Sequence, residues 1–418
     1  MRRLPAIFLV LLLISPVSSL VAQTPQAPIN VSPPLVSDVE KQQWETLKKR
    51  FELYGRDYIM SFMWTLIHDY RSKSQVDEAL NLMQVLTESL AKDDSSGLRS
   101  IGGPEGFNNR FLKLMAPDDD DTVAGFSARV LAVCGGLRYA PQIAALMNRR
   151  DESWTNEHVY PAPKSRGQAA IALSILETNQ YTDEIAALLQ SQNIYDRSGA
   201  NFALGHLRAT KYAREIANLL LRKEFTFRRD ASPIYALIEM GVASEYKTDI
   251  AQVLDDDFSE LLDPAVYALA HLRAKEYSPK IAKLLNHKYR RATASKALAI
   301  MGAKEYAGKI ASILADNNSL DQSAALLALG ILKATQYAPN AATLMRTKRS
   351  SYVSVYAAVS LVLMGSTRYA REAIAVLKAH HKSGPYIDAG DLSPLVAEEA
   401  RELNQQFLAA LEQLKSRR

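Results

Sequence analysis

Apolar residues recur at intervals of three and four along most of the chain, the spacing of one face of an α-helix. After a polar, proline-rich stretch at 23–35 (QTPQAPINVSPPL), Trp44, Leu47, Phe51 and Tyr54 fall on one helical face, with Ser37 placed to cap it. A mostly apolar segment at 58–70 and a third helix over Ser74–Ala91, striped by Val76, Leu80, Met83 and Leu86, follow. Near the other end, Ser393-Pro394 has the form of an N-cap with proline at the first helical position. Leu403, Phe407, Leu411 and Leu414 then stripe a final helix.

Between these ends the pattern repeats. The segments LRYAPQIAALM, QYTDEIAALL, KYAREIANLL, EYKTDIAQVL, EYSPKIAKLL, EYAGKIASIL, QYAPNAATLM and RYAREAIAVL place tyrosines at 139, 181, 212, 246, 277, 306, 337 and 369. A second motif precedes them, clearest as ALGHLRAT at Ala203, ALAHLRAK at Ala268, ALAIMGAK at Ala297 and ALGILKAT at Ala328. Both halves carry helical periodicity, and the small residues between them permit a tight turn with the tyrosine ring packed beneath it. No strand pattern intervenes. Each unit therefore predicts two helices of about 10 to 14 residues. Neither can bury its apolar face alone, so successive hairpins must stack. The expectation is an all-α fold: an α-solenoid, or superhelix, of about eight helical hairpins with helical caps at both ends.

The A-L-(G/A)-x-L motif followed by I-A-x-L-L resembles the HEAT-like repeats of the type described in phycobilin lyases, over about 121–379. The resemblance implies a stacked hairpin architecture of a kind common in bacterial proteins and is nearly silent about activity, since such repeats serve mostly in scaffolding and binding, with a few enzymes. Asp121-Thr122-Val123 keeps only part of the usual Asp-x-x-Val-Arg opening. The spacing between the first two tyrosines accommodates an insertion at about 151–164.

Composition narrows the class. Of 418 residues, 48% are hydrophobic and 23% charged, with 18 Gly and 17 Pro, which excludes a disordered or collagen-like chain. A single cysteine, Cys134, excludes an internal disulfide framework and a Cys-based zinc site. Met1-Arg2-Arg3, the apolar run Ala6–Ile14 and Leu20-Val21-Ala22 form a secretory signal pattern, with cleavage expected before Gln23. The expected organisation is a signal peptide at 1–22, a linker at 23–35, a helical N-terminal cap at 36–120, repeats at 121–380 and a C-terminal capping helix at 381–418.

Most conspicuous residues have a structural explanation. A tyrosine repeated eight times at one helix start is a packing element before it is a binding ladder. Cys134 stands in the column that holds Leu207, Leu272, Met301 and Leu332 elsewhere, which makes it a buried, inert thiol. His206 and His271 share a column two units apart, too far to share a metal whose bonds are ~2 Å long. His380 and His381 are adjacent and point apart on a helix. The acidic loops 118–121 and 255–257 lack the EF-hand spacing and glycine and read as solvated helix-capping loops. Nothing sets His68, Asp69, Glu78 and Glu88 as an acid–base pair. No nucleophile-elbow, P-loop, HExxH or dinucleotide motif occurs, and no catalytic, cofactor-binding or metal-ligating residue is assigned.

Charge adds one feature. The formal net charge is only +5, yet residues 264–380 hold 17 Lys or Arg against five Asp or Glu. Lys288, Arg290 and Arg291 occupy one loop between units and Arg346, Lys348 and Arg349 another, with Tyr289 and Tyr352 beside them. This block is either a solvated face or a patch that attracts anionic partners. The expected function is a non-enzymatic, protein-binding or envelope-polymer-binding scaffold, periplasmic or extracellular, with no nucleic acid partner. A membrane would be met only through an uncleaved signal or at the surface. Two alternatives stay open. One is an enzyme with a cleft between the N-terminal cap and the insertion around Trp154, His158 and Tyr160. The other is a structural spacer in an envelope complex.

Overall fold

The computed structural model describes residues 38–60, 63, 73–116, 121–149, 165–221, 230–255, 261–347, 352–380 and 397–416. The expected signal peptide, linker and insertion, and the start of the final helix at Ser393, lie outside these. The chain divides into two bodies, Met1–Gln42 and Gln43–Arg418. Of the first, only 38–42 is described, and it is helical. Apart from those first residues of α1, everything below concerns the second.

No strand occurs among the described residues. Helix α1 (Asp38–Arg50) runs on as a wider π-type turn over Phe51–Met60 and is followed by α2 (Lys73–Lys92), α3 (Ser96–Arg99) and α4 (Gly103–Lys113). Among the described residues, eight helical hairpins come next. Their first helices are α5 (Asp121–Val130), α7 (Ser165–Ile175), α9 (Ile194–His206), α11 (Ser232–Glu239), α13 (Leu262–His271), α15 (Arg291–Ile300), α17 (Ser319–Ile331) and α19 (Tyr352–Leu363). Their second helices are α6 (Ala140–Ala145), α8 (Thr182–Ala187), α10 (Ala213–Leu219), α12 (Lys247–Gln252), α14 (Ser278–Lys283), α16 (Ala307–Ser312), α18 (Ala338–Thr347) and α20 (Ala370–His380). Helix α21 (Ala397–Ser416) packs on α19 and buries Phe407, Leu411 and Leu414, as their spacing predicts. The protein is an all-α solenoid.

The turn inside each hairpin has one chemistry. Its first helix ends on a residue with positive φ, which is Gly136, Gly241, Gly302 or Gly365 in four units and Glu177, Arg208, Arg273 or Lys333 in the others. In the seventh unit the amide of Ala334 donates to the Leu329 carbonyl and that of Lys333 to Gly330, both at 3.0 Å, closing a Schellman cap. In most units a single 3₁₀ turn ending on the tyrosine leads into the second helix, as in Lys275–Tyr277 and Thr335–Tyr337. The second helices are mostly shorter than the motif suggests, because several end in a further 3₁₀ turn, such as Leu284–Asn286.

The tyrosines reach backwards along the stack. The Tyr212 hydroxyl donates to Asp183, Tyr277 and Thr248 share a hydrogen bond of 3.2 Å, and the Arg214 guanidinium lies 4.6 Å from the Tyr246 ring centre. Asp183, Arg214 and Thr248 each stand two residues after the tyrosine of the preceding unit. The column therefore straps each second helix to the start of the one before it. This extends the expectation of a ring packed only within its own hairpin.

First helices pack more closely. Residues 321–330 of α17 and 167–175 of α7 are buried on every side, because alanine, serine and glycine let neighbouring backbones approach. A Cβ placed on Gly199 would lie 2.3 Å from the Gly167 carbonyl oxygen and 2.6 Å from its Cα, so α7 and α9 touch backbone to backbone. At the N-terminal end of the stack, Arg50 donates from Nε to the Val133 carbonyl (2.8 Å) and from Nη2 to that of Ala132 (2.7 Å). These bonds satisfy carbonyls in the π-type turn Leu131–Gly135 that closes the first helix of the first unit. Phe107, Phe111 and Phe126 continue the contact, with ring centres 5.0 and 6.1 Å apart.

Two substitutions test this account. Gly199→Ala forces a methyl into backbone atoms and should lower stability by about 1–3 kcal/mol, read as an earlier urea midpoint. Lys333→Gly relieves a left-handed residue and should raise stability by roughly 0.5–1 kcal/mol. An unchanged midpoint for Gly199→Ala would contradict the close approach of the helices.

Candidate functional site

Of the basic residues singled out by charge, the described ones fall at the edge of the solenoid where first helices begin, and the structure gives them different tasks. Lys288 is exposed, its ammonium 5.3 Å from the centre of the Tyr289 ring. Arg290 pairs with Asp263 of the preceding unit. Arg291 pairs with Asp316 and, through Nε at 2.7 Å, with Asp321, whose side chain is 4% exposed. Two adjacent arginines therefore fasten three successive units. Arg346 grips Glu372 through a two-pronged guanidinium contact, both hydrogen bonds 2.7 Å long. Lys348 and Arg349 lie outside the described residues.

The same edge is stitched in earlier units. Arg149 meets Asp121 at 3.2 Å, and Asp121 also accepts from the Ser165 hydroxyl at 2.5 Å. Arg166 lies 3.3 Å from Asp196, a fully buried carboxylate that accepts from Ser191 at 2.9 Å. Asn201 donates to Ser232 at 2.9 Å. Asp121, Asp196 and Asp321 stand in the first turns of their helices, where the helix dipole favours negative charge. Desolvation pushes the Asp230 carboxyl above its ordinary range, against the pull of hydrogen bonds from Ser232.

The remaining candidates do not converge. Burial pushes the Cys134 thiol up to about 12, so the thiolate that would act as nucleophile is not populated near neutrality. His206 stacks on Phe202 with ring centres 6.2 Å apart, and His271 stands on α13, two units on. Among the described residues no group of three or more His, Cys, Asp or Glu could hold a metal ion. Asp255 pairs with Lys280 at 2.9 Å. Trp154, His158, Tyr160, His68, Asp69, His381 and the acidic residues 118–120 and 256–257 lie outside the described residues. Glu88 accepts from Gln84 at 2.9 Å, whereas Glu78 lines an open depression of about 460 Å³ with Asp77, Asn81 and Arg110. The Arg110–Glu78 separation there is 3.9 Å.

Tyr289 and Tyr352, which the sequence sets beside the basic loops, form a row with Leu320, a residue that charge does not point to. Tyr289, Leu320 and Tyr352 are 75%, 65% and 82% exposed. Each stands 17 residues before the tyrosine of its own unit, at 306, 337 and 369. Three consecutive units thus present a large apolar side chain from the same place at the start of their first helices. Counting back from the tyrosine column finds this register in the sequence, but exposure is visible only in the folded chain.

No protein-family model matches the chain, and no curated protein matches it. Among solved structures it is similar to the complex of CpcE and CpcF of phycocyanin lyase from Nostoc sp. PCC7120. Identity is 16%, 65% of this chain and 94% of that chain are covered, and the TM-score is 0.28, too low to carry an argument about site or activity.

The two kinds of basic residue separate in a stability measurement. Arg291→Ala leaves the buried Asp321 carboxylate without this partner and should cost about 3 kcal/mol. Lys288→Ala, at an exposed position, should change stability by less than about 0.5 kcal/mol. Equal urea midpoints for the two variants would contradict the assignment of Arg291 to the joint between units.

Proposed function

We propose that the protein is a non-enzymatic scaffold that works outside the cytoplasm and binds a protein or an anionic envelope polymer along its stacked hairpins. The observation that carries this reading is the use of its charge. Arg149, Arg166, Arg290, Arg291 and Arg346 meet carboxylates of other helices and join neighbouring elements of the stack, rather than gathering around one hollow. Exposed cations such as Lys288 remain to attract an anionic partner, and the basic block of the last units biases which partner approaches. The signal pattern at 1–22 supports export.

Affinity capture with the tagged full-length chain in its own host, followed by mass spectrometry, tests the reading. A defined partner should be retained at physiological salt and released by about 0.5 M salt. The variant Lys288→Glu/Lys348→Glu/Arg349→Glu leaves Arg290 and Arg291 in place and should retain about tenfold less at unchanged helical circular dichroism. Undiminished retention would overturn the role of the basic block. Absence of any specific partner would overturn the scaffold. Recovery of the chain in the cytoplasm with residues 1–22 still attached would overturn export.

A further inference from the structure

The row formed by Tyr289, Leu320 and Tyr352 stands apart from the scaffold reading and points to a second binding surface. Helices α15, α17 and α19 pack in succession, at the ~8–10 Å separation of packed helices, so the row extends over roughly 20 Å. Its members are 65–82% exposed and arise at equivalent positions, so they project as a line of separate tips. A groove that received a partner helix would bury its flanks. Projecting tips instead suit a soft, flat surface that all of them meet together.

The chemistry of the tips agrees. Tyrosine joins an apolar ring to a polar hydroxyl and settles at the boundary between hydrocarbon and headgroups, while leucine adds apolar area. The exposed Lys288 sets its ammonium 5.3 Å from the centre of the Tyr289 ring, so a cation that can meet lipid phosphate stands beside an aromatic tip. Nearby carboxylates do not oppose this approach, since Arg290 engages Asp263 and Arg291 engages Asp316 and Asp321. The units that bear the row, within 264–380, hold 17 Lys or Arg against five Asp or Glu, a net positive charge that favours approach to an anionic leaflet. No helix among the described residues is long and apolar enough to cross a membrane.

We infer that this edge docks the protein on an anionic phospholipid bilayer, with Tyr289, Leu320 and Tyr352 entering the interface and Lys288 binding lipid phosphate. The docking shares Lys288 with the scaffold reading, and the three apolar tips are what it adds.

Cosedimentation of the full chain with vesicles tests this. Vesicles containing about one third phosphatidylglycerol should retain the protein, and pure phosphatidylcholine vesicles should retain far less. The variant Tyr289→Ser/Leu320→Ser/Tyr352→Ser keeps every charge and should bind anionic vesicles at least about tenfold more weakly. A second variant, Leu320→Cys labelled with an environment-sensitive dye, reports on the site itself, because Cys134 is buried with a thiol raised to about 12 and stays unlabelled. Its emission should shift to the blue with anionic vesicles only. Undiminished vesicle binding by the triple serine variant, or an unshifted dye, would overturn the inference. So would retention of a soluble acidic protein by the row without any vesicle binding. Partner capture by the triple serine variant is measured in parallel, and its persistence separates failure of the docking edge from failure of the scaffold.

Discussion

Everything in this molecule depends on how closely the first helices of neighbouring hairpins approach. A helix of 8–13 residues, as these are, does not hold its form alone, and one hairpin leaves most of its apolar surface in water. Burial becomes complete only when α7 is closed by α5 and α9, and so on along the stack. Contact of that kind needs small side chains at the crossing points. Gly167 and Gly199 supply it where a single methyl would strike a carbonyl oxygen, and alanines supply it in most other units. The larger apolar residues then fill the space between the two helical layers, each buried Leu or Ile contributing roughly 1.5–3 kcal/mol.

Close approach sets the electrostatics. Bringing the helix starts together also brings their first-turn carboxylates into a partly dry edge, where an unpaired charge is costly. The chain answers with a cation from the adjoining segment: Arg149 for Asp121, Arg166 for Asp196, Arg290 for Asp263 and Arg291 for Asp321. Those arginines look in sequence like a patch awaiting a ligand, yet much of the positive charge belongs to the joints between units. The tyrosine column plays the corresponding part on the second helices, where exposed side chains add smaller increments.

The architecture was legible because its signal is local and repeated. Eight tyrosines, the Leu and Ile positions that follow them and the small residues of each turn specify the hairpins without reference to anything distant. The final helix was legible from Phe407, Leu411 and Leu414 for the same reason. What could not be read were relations across 25 to 83 residues of chain: Arg291 with Asp316, or Arg50 with the carbonyls of Ala132 and Val133. Periodicity says that such residues are near a helix end, but only stacking decides which carboxylate faces which guanidinium. The left-handed residues show a further limit. Gly302 announces itself, whereas Arg208 and Lys333 adopt the same backbone because the cap geometry of the hairpin imposes it.

Repetition also explains why one edge serves two purposes without conflict. The sixth and seventh units each deliver to that edge a first-turn residue directed at a neighbour, Arg291 or Asp321, and, a residue or two earlier, one directed at solvent, Tyr289 or Leu320. The inward position is constrained by the charge across the joint, which is why it holds Arg291 or Asp321. The outward position bears no packing duty, and in most soluble solenoids a large apolar side chain there would be a liability for association. Its recurrence in three consecutive units, next to a lysine and above neutralised carboxylates, is not required by folding. A side chain that folding does not require, repeated at the period of the fold, is best accounted for by a surface that meets the stack along its length.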